Sequence, residues 1–147
     1  FKQKTAYEIR LSLVGSEMCI RDRNGVELNI KEKNTIRTSG RQIQLKRAFN
    51  NIIDNSQRYA KKIEIILYTN EKDCVIEFND DGEGIPRDKY EDVFKPFFTL
   101  DPSRNKLKGE SGLGLTITRD IIRSHGGDVK LSDSNLGGLQ LKVLLPL

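Results

Sequence analysis

An acidic turn with two glycines, residues 80–86 (DDGEGIP), is the stretch of this sequence best suited to ligand chemistry. It follows the apolar run 74–78, so Asp80 is expected where a buried strand ends. Gly82 and Gly84, at alternate positions, permit positive φ and let another molecule approach the backbone closely. A carboxylate fixed beside bare backbone is suited to accepting a hydrogen bond from a ring N–H or an exocyclic amine. The alternative is a solvated acidic turn, which is common.

Two asparagines one helical turn apart form a second polar feature. Asn51, Asn55 and Arg58 are spaced by four and three residues, which places them on one polar face of a predicted helix. Asparagine is a poor helix former, so the pair needs an explanation. One explanation is an exposed helix edge, and the other is that the amide oxygens point at a ligand or a metal ion. Mg²⁺ that shares phosphates takes few protein ligands, so Asn55, with Asn51 nearby, is a candidate for holding it.

A glycine-rich loop at residues 109–115 (GESGLGL) leads into a second predicted helix. Backbone N–H groups around Gly112 and Gly114 would then face outward where the helix dipole is positive, which favours binding of an anion such as phosphate. Taken alone, this spacing is equally consistent with a structural turn.

The polar segment 99–111 is too long for an ordinary connection and is typical of a lid. It carries Arg104, Lys106 and Lys108, whose charges can neutralise phosphate. The aromatic cluster 94–98 (FKPFF) directly precedes it and is expected to anchor one base of the loop.

Periodicity predicts the elements that position these residues. Residues 41–60 carry apolar side chains at helical spacing, and a second amphipathic helix follows the glycine loop, ending at His125 before a Gly-Gly C-cap. His125 is therefore interpreted as structural. Strands are predicted at 26–30, 34–38, 62–68, 74–78, 129–131 and 139–145, with a short helix at 87–94. This order predicts an α+β fold: a two-layer α/β sandwich with two main helices on one face of a mixed, mostly antiparallel sheet.

The composition of the 147 residues suits one soluble domain with a two-layer core. Residues 1–23 differ from the remainder, because they start at Phe1, contain the only methionine and resemble a translated sequencing-library adapter. The domain is therefore expected to comprise residues 24–147, with the prefix outside the fold. The alternative is a native amphipathic segment.

The charge and cysteine content exclude some classes of protein. The prefix holds five basic and three acidic residues, so the net charge of +4 falls to +2 for the remainder. The basic residues are scattered, and no nucleic-acid partner is expected. No apolar run reaches the ~20 residues of a membrane span. Cys19 and Cys74 are far apart, which favours a reducing compartment over a disulfide framework.

Taken in series, these motifs resemble the ATP-binding (catalytic) domain of bacterial sensor histidine kinases, in the Bergerat-fold (GHKL, HATPase_c) superfamily. The matching segments are an N box at 45–60 (LKRAFNNIIDNSQRYA), a first glycine box at 80–84, an F box at 94–98, a second glycine box at 109–115 and a weaker last glycine box at 137–138. The resemblance covers residues 25–147 and is nearest to the osmosensor (EnvZ-like) branch.

The resemblance implies that ATP and Mg²⁺ are the cofactors and suggests roles for individual residues. Asp80 would bind the adenine amine, and Tyr59 would pack beside the base. Asn55 would ligate Mg²⁺, and Arg58 would approach phosphate. The expected catalytic residues are Asn51, Asn55 and Arg58. The expected nucleotide-contacting residues are Asn51, Asn55, Arg58, Tyr59, Asp80, Gly82, Gly84, Ile85, Phe97, Arg104, Lys106, Gly112, Leu113, Gly114 and Leu115.

One position separates the branches of this superfamily. Its ATPase members, of the gyrase, mismatch-repair and heat-shock chaperone types, place a glutamate general base one helical turn before the Mg²⁺-binding asparagine. Here that position is Asn51, whose amide cannot take a proton from water. The site is therefore expected to bind ATP without efficient hydrolysis and to leave the γ-phosphoryl group for a protein acceptor. Such transfer needs mainly positioning and charge neutralisation.

The expected acceptor is a histidine on a separate dimerisation domain, and the expected downstream partner is a response regulator. His125 lies in a Ser-His-Gly-Gly context that does not match the family's phosphoacceptor motif. The expected location is the cytoplasm, with a membrane association only through a sensor region outside this sequence. An anti-sigma-type serine kinase and a non-catalytic nucleotide-binding regulatory module are the alternatives.

Overall fold

A computed structural model describes residues 5–9, 27–32, 36–98 and 113–147. Its elements are β1 Thr5–Ile9, β2 Glu27–Glu32, β3 Ile36–Gly40, α1 Gln42–Tyr59, β4 Lys62–Thr69, β5 Asp73–Asp80, the 3₁₀ turns Arg87–Lys89 and Asp92–Phe94, α2 Gly114–Ser124, β6 Asp128–Asp133 and β7 Leu139–Pro146. Across these residues, no helix combines the length and apolar character needed to cross a bilayer.

The main sheet has five strands in the order β2-β4-β5-β7-β6. β2 runs parallel to β4, and the other neighbours are antiparallel. β4 and β5 form the predicted hairpin, and β6 and β7 lie where strands were predicted. The prediction of a mixed, mostly antiparallel sheet is confirmed.

The core lies between this sheet and the two helices. Alternate residues of β4 and β5 face inward because successive side chains of a strand point to opposite faces. Ile65 of β4 and Phe78 of β5 are buried in this way, together with Phe49 of α1 and Ile122 of α2. The rings of Phe49 and Phe78 have their centroids 6.3 Å apart. The helices therefore cover one face of the sheet, as the α+β prediction requires.

α1 and α2 pack side by side in opposite directions. The backbone N of Arg41, at the start of α1, lies 2.9 Å from Nε2 of His125, at the end of α2. Seven residues after Arg41 in α1 and seven residues before His125 in α2, Oγ1 of Thr118 lies 3.4 Å from the carbonyl oxygen of Ala48. With a rise of ~1.5 Å per residue, the next two turns of α1 run alongside the start of α2. This packing brings the asparagines of α1 to the glycine loop.

Two N-terminal strands pair outside the main sheet. The strand predicted at 34–38 is observed as β3, and it pairs with β1 in a separate two-stranded sheet. β1 lies within the prefix 1–23, at residues 5–9. β3 contacts the end of β7 at Thr38, whose hydroxyl donates to the carbonyl of Pro146. The backbone groups of β3 pair with those of β1. The origin of the prefix and the 24–147 boundary stay predictions.

The segment predicted as a short helix at 87–94 forms two separate 3₁₀ turns instead. Arg87 and Tyr90 both contact the Asp133 carboxylate of β6, at 3.2 and 3.3 Å. These contacts hold the first turn on the sheet edge, and short 3₁₀ turns commonly serve as connectors. The lid predicted at 99–111 lies outside the described residues.

Two neighbouring isoleucines of β4 test the assignment of the buried face. Ile65 is fully buried in the core, whereas Ile66 points to the opposite face and is half-buried. We expect Ile65→Ala to lower the free energy of unfolding by about 2–5 kcal/mol, because it leaves a cavity. Ile66→Ala is the matched control and should cost roughly 1 kcal/mol. Urea unfolding measures both, and equal losses would contradict the assigned face.

Candidate functional site

Asp80 is the last residue of β5 and lies on the inward-facing side of the sheet, two residues after the buried Phe78. Its side chain is only 8% exposed. Oδ1 accepts hydrogen bonds from the backbone N–H groups of Gly82 and Leu139, both at 3.0 Å. Within the described residues both bonds end on Oδ1, which leaves Oδ2 available to a ligand. The predicted strand-end carboxylate is therefore held rigidly with one oxygen uncommitted.

Burial raises the pKa of Asp80 above its ordinary value, because it disfavours the charged form. The hydrogen bonds from Leu139 and Gly82 lower the pKa in part, and the neighbouring Asp81 raises it. A raised pKa in the folded state means that the ionised carboxylate reduces folding stability as pH rises through that value. Asp80 is thus placed at a cost in stability, as is common for groups at functional sites.

Asp81 differs from its neighbour in role. Its Oδ1 accepts hydrogen bonds from the backbone N–H groups of Lys61 and Lys62, at 2.9 and 3.0 Å. The bond from Lys62 is the largest cause that lowers the pKa of Asp81. Asp81 therefore ties the end of β5 to the start of β4, and Asp80 is the residue that remains for a ligand.

Glycines let the backbone close around Asp80. A Cβ on Gly138 would lie 2.2 Å from Oδ1 of Asp80, and a Cβ on Gly82 would lie 2.8 Å from the carbonyl oxygen of Tyr59. Gly84 has φ +74°, which only glycine adopts readily, and it lies beside the backbone of Gly138. The sequence indicated residues 137–138 only as a weak glycine box. Nothing in the spacing showed that they support Asp80.

The predicted residues of α1 lie along its flank and at its end. Asn51 and Asn55 are half-buried on the side of the helix that continues from Ala48 toward α2. Arg58 and Tyr59 are half-buried in the last turn, where the Tyr59 carbonyl meets the acidic turn. The structure thus brings the end of α1 to Asp80 and the asparagines toward the start of α2.

The glycine loop ends at Leu113, the N-cap of α2, and the helix starts at Gly114. A Cβ on Gly114 would meet no described atom within 4 Å. Leu115 is half-buried and packs against the core, and Ile85 is half-buried in the acidic turn. The first turn of α2 therefore offers N–H groups at its positive end. Arg104, Lys106 and Gly112 lie outside the described residues.

The aromatic cluster divides into an anchored and an exposed part. Phe94 is buried, its carbonyl accepts a hydrogen bond from Oγ1 of Thr116 at 2.7 Å, and the Arg119 guanidinium lies 4.3 Å from its ring centroid. Phe94 is therefore held against α2, and its role as an anchor of the loop stays a prediction. Phe97 is 70% exposed with φ +63°. The structure does not pack Phe97 against the other predicted residues.

Comparison with known proteins identifies this arrangement. The family described as "Histidine kinase-, DNA gyrase B-, and HSP90-like ATPase" matches residues 40–147, and the chain belongs to it. The sensor histidine kinase CpxA of Escherichia coli K12 is 40% identical over 104 residues, which is 70% of this chain and 23% of CpxA. The histidine-protein kinase BaeS of the same strain is 32% identical over 126 residues, which is 84% of this chain and 27% of BaeS.

Solved structures agree on the fold. The mycobacterial sensor histidine kinase MprB superposes with a TM-score of 0.83 at 23% identity, covering 98% of this chain and 97% of the MprB chain. The catalytic domain of the histidine kinase ThkA gives a TM-score of 0.85 at 20% identity, with coverage of 99% and 96%. These structures show that the chain has the fold of histidine kinase ATP-binding domains, and the family match with the sensor kinase relatives identifies it as an ATP-binding domain of this type. It spans about a quarter of the length of the curated relatives it matches.

Gly138 provides a test of the support around Asp80. Gly138→Ala places a methyl group against Oδ1 of Asp80, so we expect the carboxylate to move and ATP affinity to fall at least about tenfold. Gly137→Ala is the matched control, because a Cβ on Gly137 meets no described atom within 4 Å. With φ +103°, Gly137→Ala should cost about 1–3 kcal/mol of stability but leave ATP affinity unchanged. Calorimetric titration at a temperature where both variants are folded measures the difference, and equal affinities would contradict the assignment.

Proposed function

We propose that this domain binds ATP with Mg²⁺ and supplies the γ-phosphoryl group to a histidine on a separate dimerisation domain of a two-component sensor kinase. The observation that carries the proposal is Asp80, buried at a strand end with Oδ1 fixed by two backbone N–H groups and Oδ2 available. A buried carboxylate in this position lowers folding stability. Because the chain belongs to a family of ATPases and histidine kinases, we propose the adenine of ATP as the group that this carboxylate binds.

The adenine end of the site follows from the Asp80 geometry. Oδ2 can accept a hydrogen bond from the exocyclic amine, while the bare backbone of Gly82 and Gly84 lets a flat ring approach. Tyr59 and Ile85, both half-buried beside this turn, supply apolar surface for the ring faces. The base is thus oriented by one fixed acceptor and two flanking side chains.

The phosphate end lies between α1 and the start of α2. The backbone N–H groups at Gly114 and the positive end of α2 favour anionic oxygens. Arg58, at the end of α1, and Arg104 and Lys106 of the loop add positive charge. Leu113, Leu115, Phe97 and Gly112 complete the proposed contacts. This arrangement holds a triphosphate whose outer end points toward the asparagines of α1.

The amide oxygen of Asn55 can serve as a protein ligand for a Mg²⁺ ion that is bound mainly by phosphates. Among the described residues, no group of three or more His, Cys, Asp or Glu side chains is arranged to hold a metal. Mg²⁺ needs few protein ligands when phosphates supply oxygens, and an amide oxygen is a suitable one. Bound Mg²⁺ would neutralise charge on the phosphates. Asn55 would orient it.

Asn51 favours transfer over hydrolysis. It lies one turn before Asn55 on the same flank of α1, facing the same space. Its amide has no basic group, so water near the terminal phosphate would not be deprotonated by this side chain. The γ-phosphoryl group is then retained until an acceptor histidine of the partner domain reaches it.

The partners we propose are a dimerisation and histidine-phosphotransfer domain of the same kinase and a response regulator. The relatives CpxA and BaeS are named as a sensor histidine kinase and a signal transduction histidine-protein kinase. This chain corresponds to about a quarter of each, so acceptor and sensor would lie elsewhere in the parent protein. We place the domain in the cytoplasm, with any membrane association through that sensor region and no nucleic-acid partner.

A chimeric kinase tests this proposal. Replacing the matched 104 residues of E. coli CpxA with the corresponding part of this chain supplies the missing regions of a kinase. With γ-³²P-ATP and Mg²⁺ we expect a label that is lost in acid and stable in base, as for phosphohistidine. Asn55→Ala should reduce labelling at least about tenfold, since Mg²⁺ loses its ligand.

Asp54→Ala is the matched control, because Asp54 is the exposed neighbour of Asn55 on α1. It should label as the unmodified chimera does. An acid-stable label would favour a serine kinase, and ATP binding without any label would favour a regulatory module. Equal labelling of both variants would contradict the role of Asn55.

A further inference from the structure

His125 connects the two helices that flank the nucleotide site, at the end far from that site. It is the C-cap of α2 and is only 4% exposed. Nε2 accepts a hydrogen bond from the backbone N–H of Arg41 at 2.9 Å, and Nδ1 lies 2.7 Å from the carbonyl oxygen of Ile121. Both ring nitrogens are therefore used, one toward each helix.

These partners fix the form of the ring. A backbone N–H can only donate, so Nε2 carries no proton. A carbonyl oxygen can only accept, so the proton is on Nδ1, which donates to Ile121. The bond to Arg41 therefore needs an acceptor atom at the position of Nε2, at the far end of the side chain, because Nδ1 is already bonded to Ile121.

The junction is held from both sides. Arg41 is the N-cap of α1 and makes no side-chain cap bond, so the ring accepts one of the N–H groups left unpaired at the start of the helix. The Arg41 guanidinium also donates to Oγ of Ser124 at 2.7 Å. On the other side, Gly126 has φ +81° and a Cβ on Gly127 would lie 2.0 Å from the Leu144 carbonyl oxygen. The backbone that follows His125 is therefore packed tightly against β7 at Gly127.

α1 and α2 are thus antiparallel helices that are connected at one end by the bond between His125 and Arg41. His125 and Arg41 hold that end, and Thr118 contacts Ala48 in the middle. Beyond the middle contact, Asn55 lies seven residues further along α1, a rise of about 10 Å. The proposed phosphate site is at this open end, so its width depends on the angle that the junction sets.

We propose that His125 is a positioning residue for nucleotide binding: through the Arg41 N–H it sets the spacing between the asparagines of α1 and the first turn of α2. The inference rests on the proposed placement of the phosphates between these helices. His125 does not touch the nucleotide; it acts through α1.

Two amide substitutions of His125 separate this role from simple capping of α2. In His125→Gln, Oε1 can reach the place of Nε2 and accept from Arg41, so ATP affinity should stay within about twofold of the wild type. His125→Asn carries the same amide group on a side chain that is one carbon shorter. Asparagine suits a helix C-terminus but cannot reach Arg41, so ATP affinity should fall about tenfold. Calorimetric titration of the full chain with ATP and Mg²⁺, below the melting temperature of each variant, measures both.

A second pair of variants tests the same bond from its other side. Arg41→Pro removes the donated N–H and leaves the histidine ring in place, so it should weaken ATP binding as His125→Asn does. Arg41→Ala removes the guanidinium and its bond to Ser124 but keeps the N–H, so ATP affinity should fall much less than in Arg41→Pro.

The outcomes are distinct from those for the proposed function. Failure of the wild type to bind ATP would refute the proposed function itself. Wild-type affinity in His125→Asn or Arg41→Pro would overturn the positioning role, as would a His125→Gln variant that binds as weakly as His125→Asn. If His125→Asn does not fold, the comparison of Arg41→Pro with Arg41→Ala decides.

Discussion

The structure depends on a buried carboxylate that is held by two backbone N–H groups. Oδ1 of Asp80 is bonded by Gly82, two residues further along the chain, and by Leu139, at the start of β7. The carbonyl of Asp80 also accepts from the N–H of Gly138 at 3.1 Å. One residue thus joins the end of β5, the acidic turn and the start of β7, and presents its remaining oxygen to the space beside α1.

This arrangement has a thermodynamic consequence. Burial raises the pKa of Asp80, so the ionised side chain lowers the stability of the ligand-free fold near neutral pH. The core between β4, β5, β7 and the helices offsets that cost, with residues such as Ile65, Phe78 and Val143 almost fully buried. Binding of an amine donor would then satisfy the oxygen that folding leaves available. Under the proposed function, the fold would thus arrange the Asp80 carboxylate for its ligand before binding.

Local patterns predicted much of the fold and part of the site. The alternation of β4 and β5 and the helical spacing of α1 located the hairpin, the asparagine flank and Asp80, because each signal depends on neighbouring residues. Contacts between distant segments were not predictable. Gly138 against Asp80 and Arg41 against His125 join residues 58 or more positions apart, and no spacing rule encodes such pairs. The pairing of β3 with β1 in a separate sheet was not predicted for the same reason, because these strands are also distant in the sequence.

Calorimetric titration of the wild type and Asp80→Asn with ATP and Mg²⁺, together with their thermal unfolding, tests the central claim most directly. Asparagine keeps Oδ1 for Gly82 and Leu139 but replaces Oδ2 with a donor that opposes the adenine amine. We therefore predict that ATP affinity falls at least about tenfold while the melting temperature of the ligand-free protein is unchanged or higher. Retained affinity, or a large loss of stability in Asp80→Asn, would contradict the role of Asp80 as a ligand-binding carboxylate held at a cost to the fold.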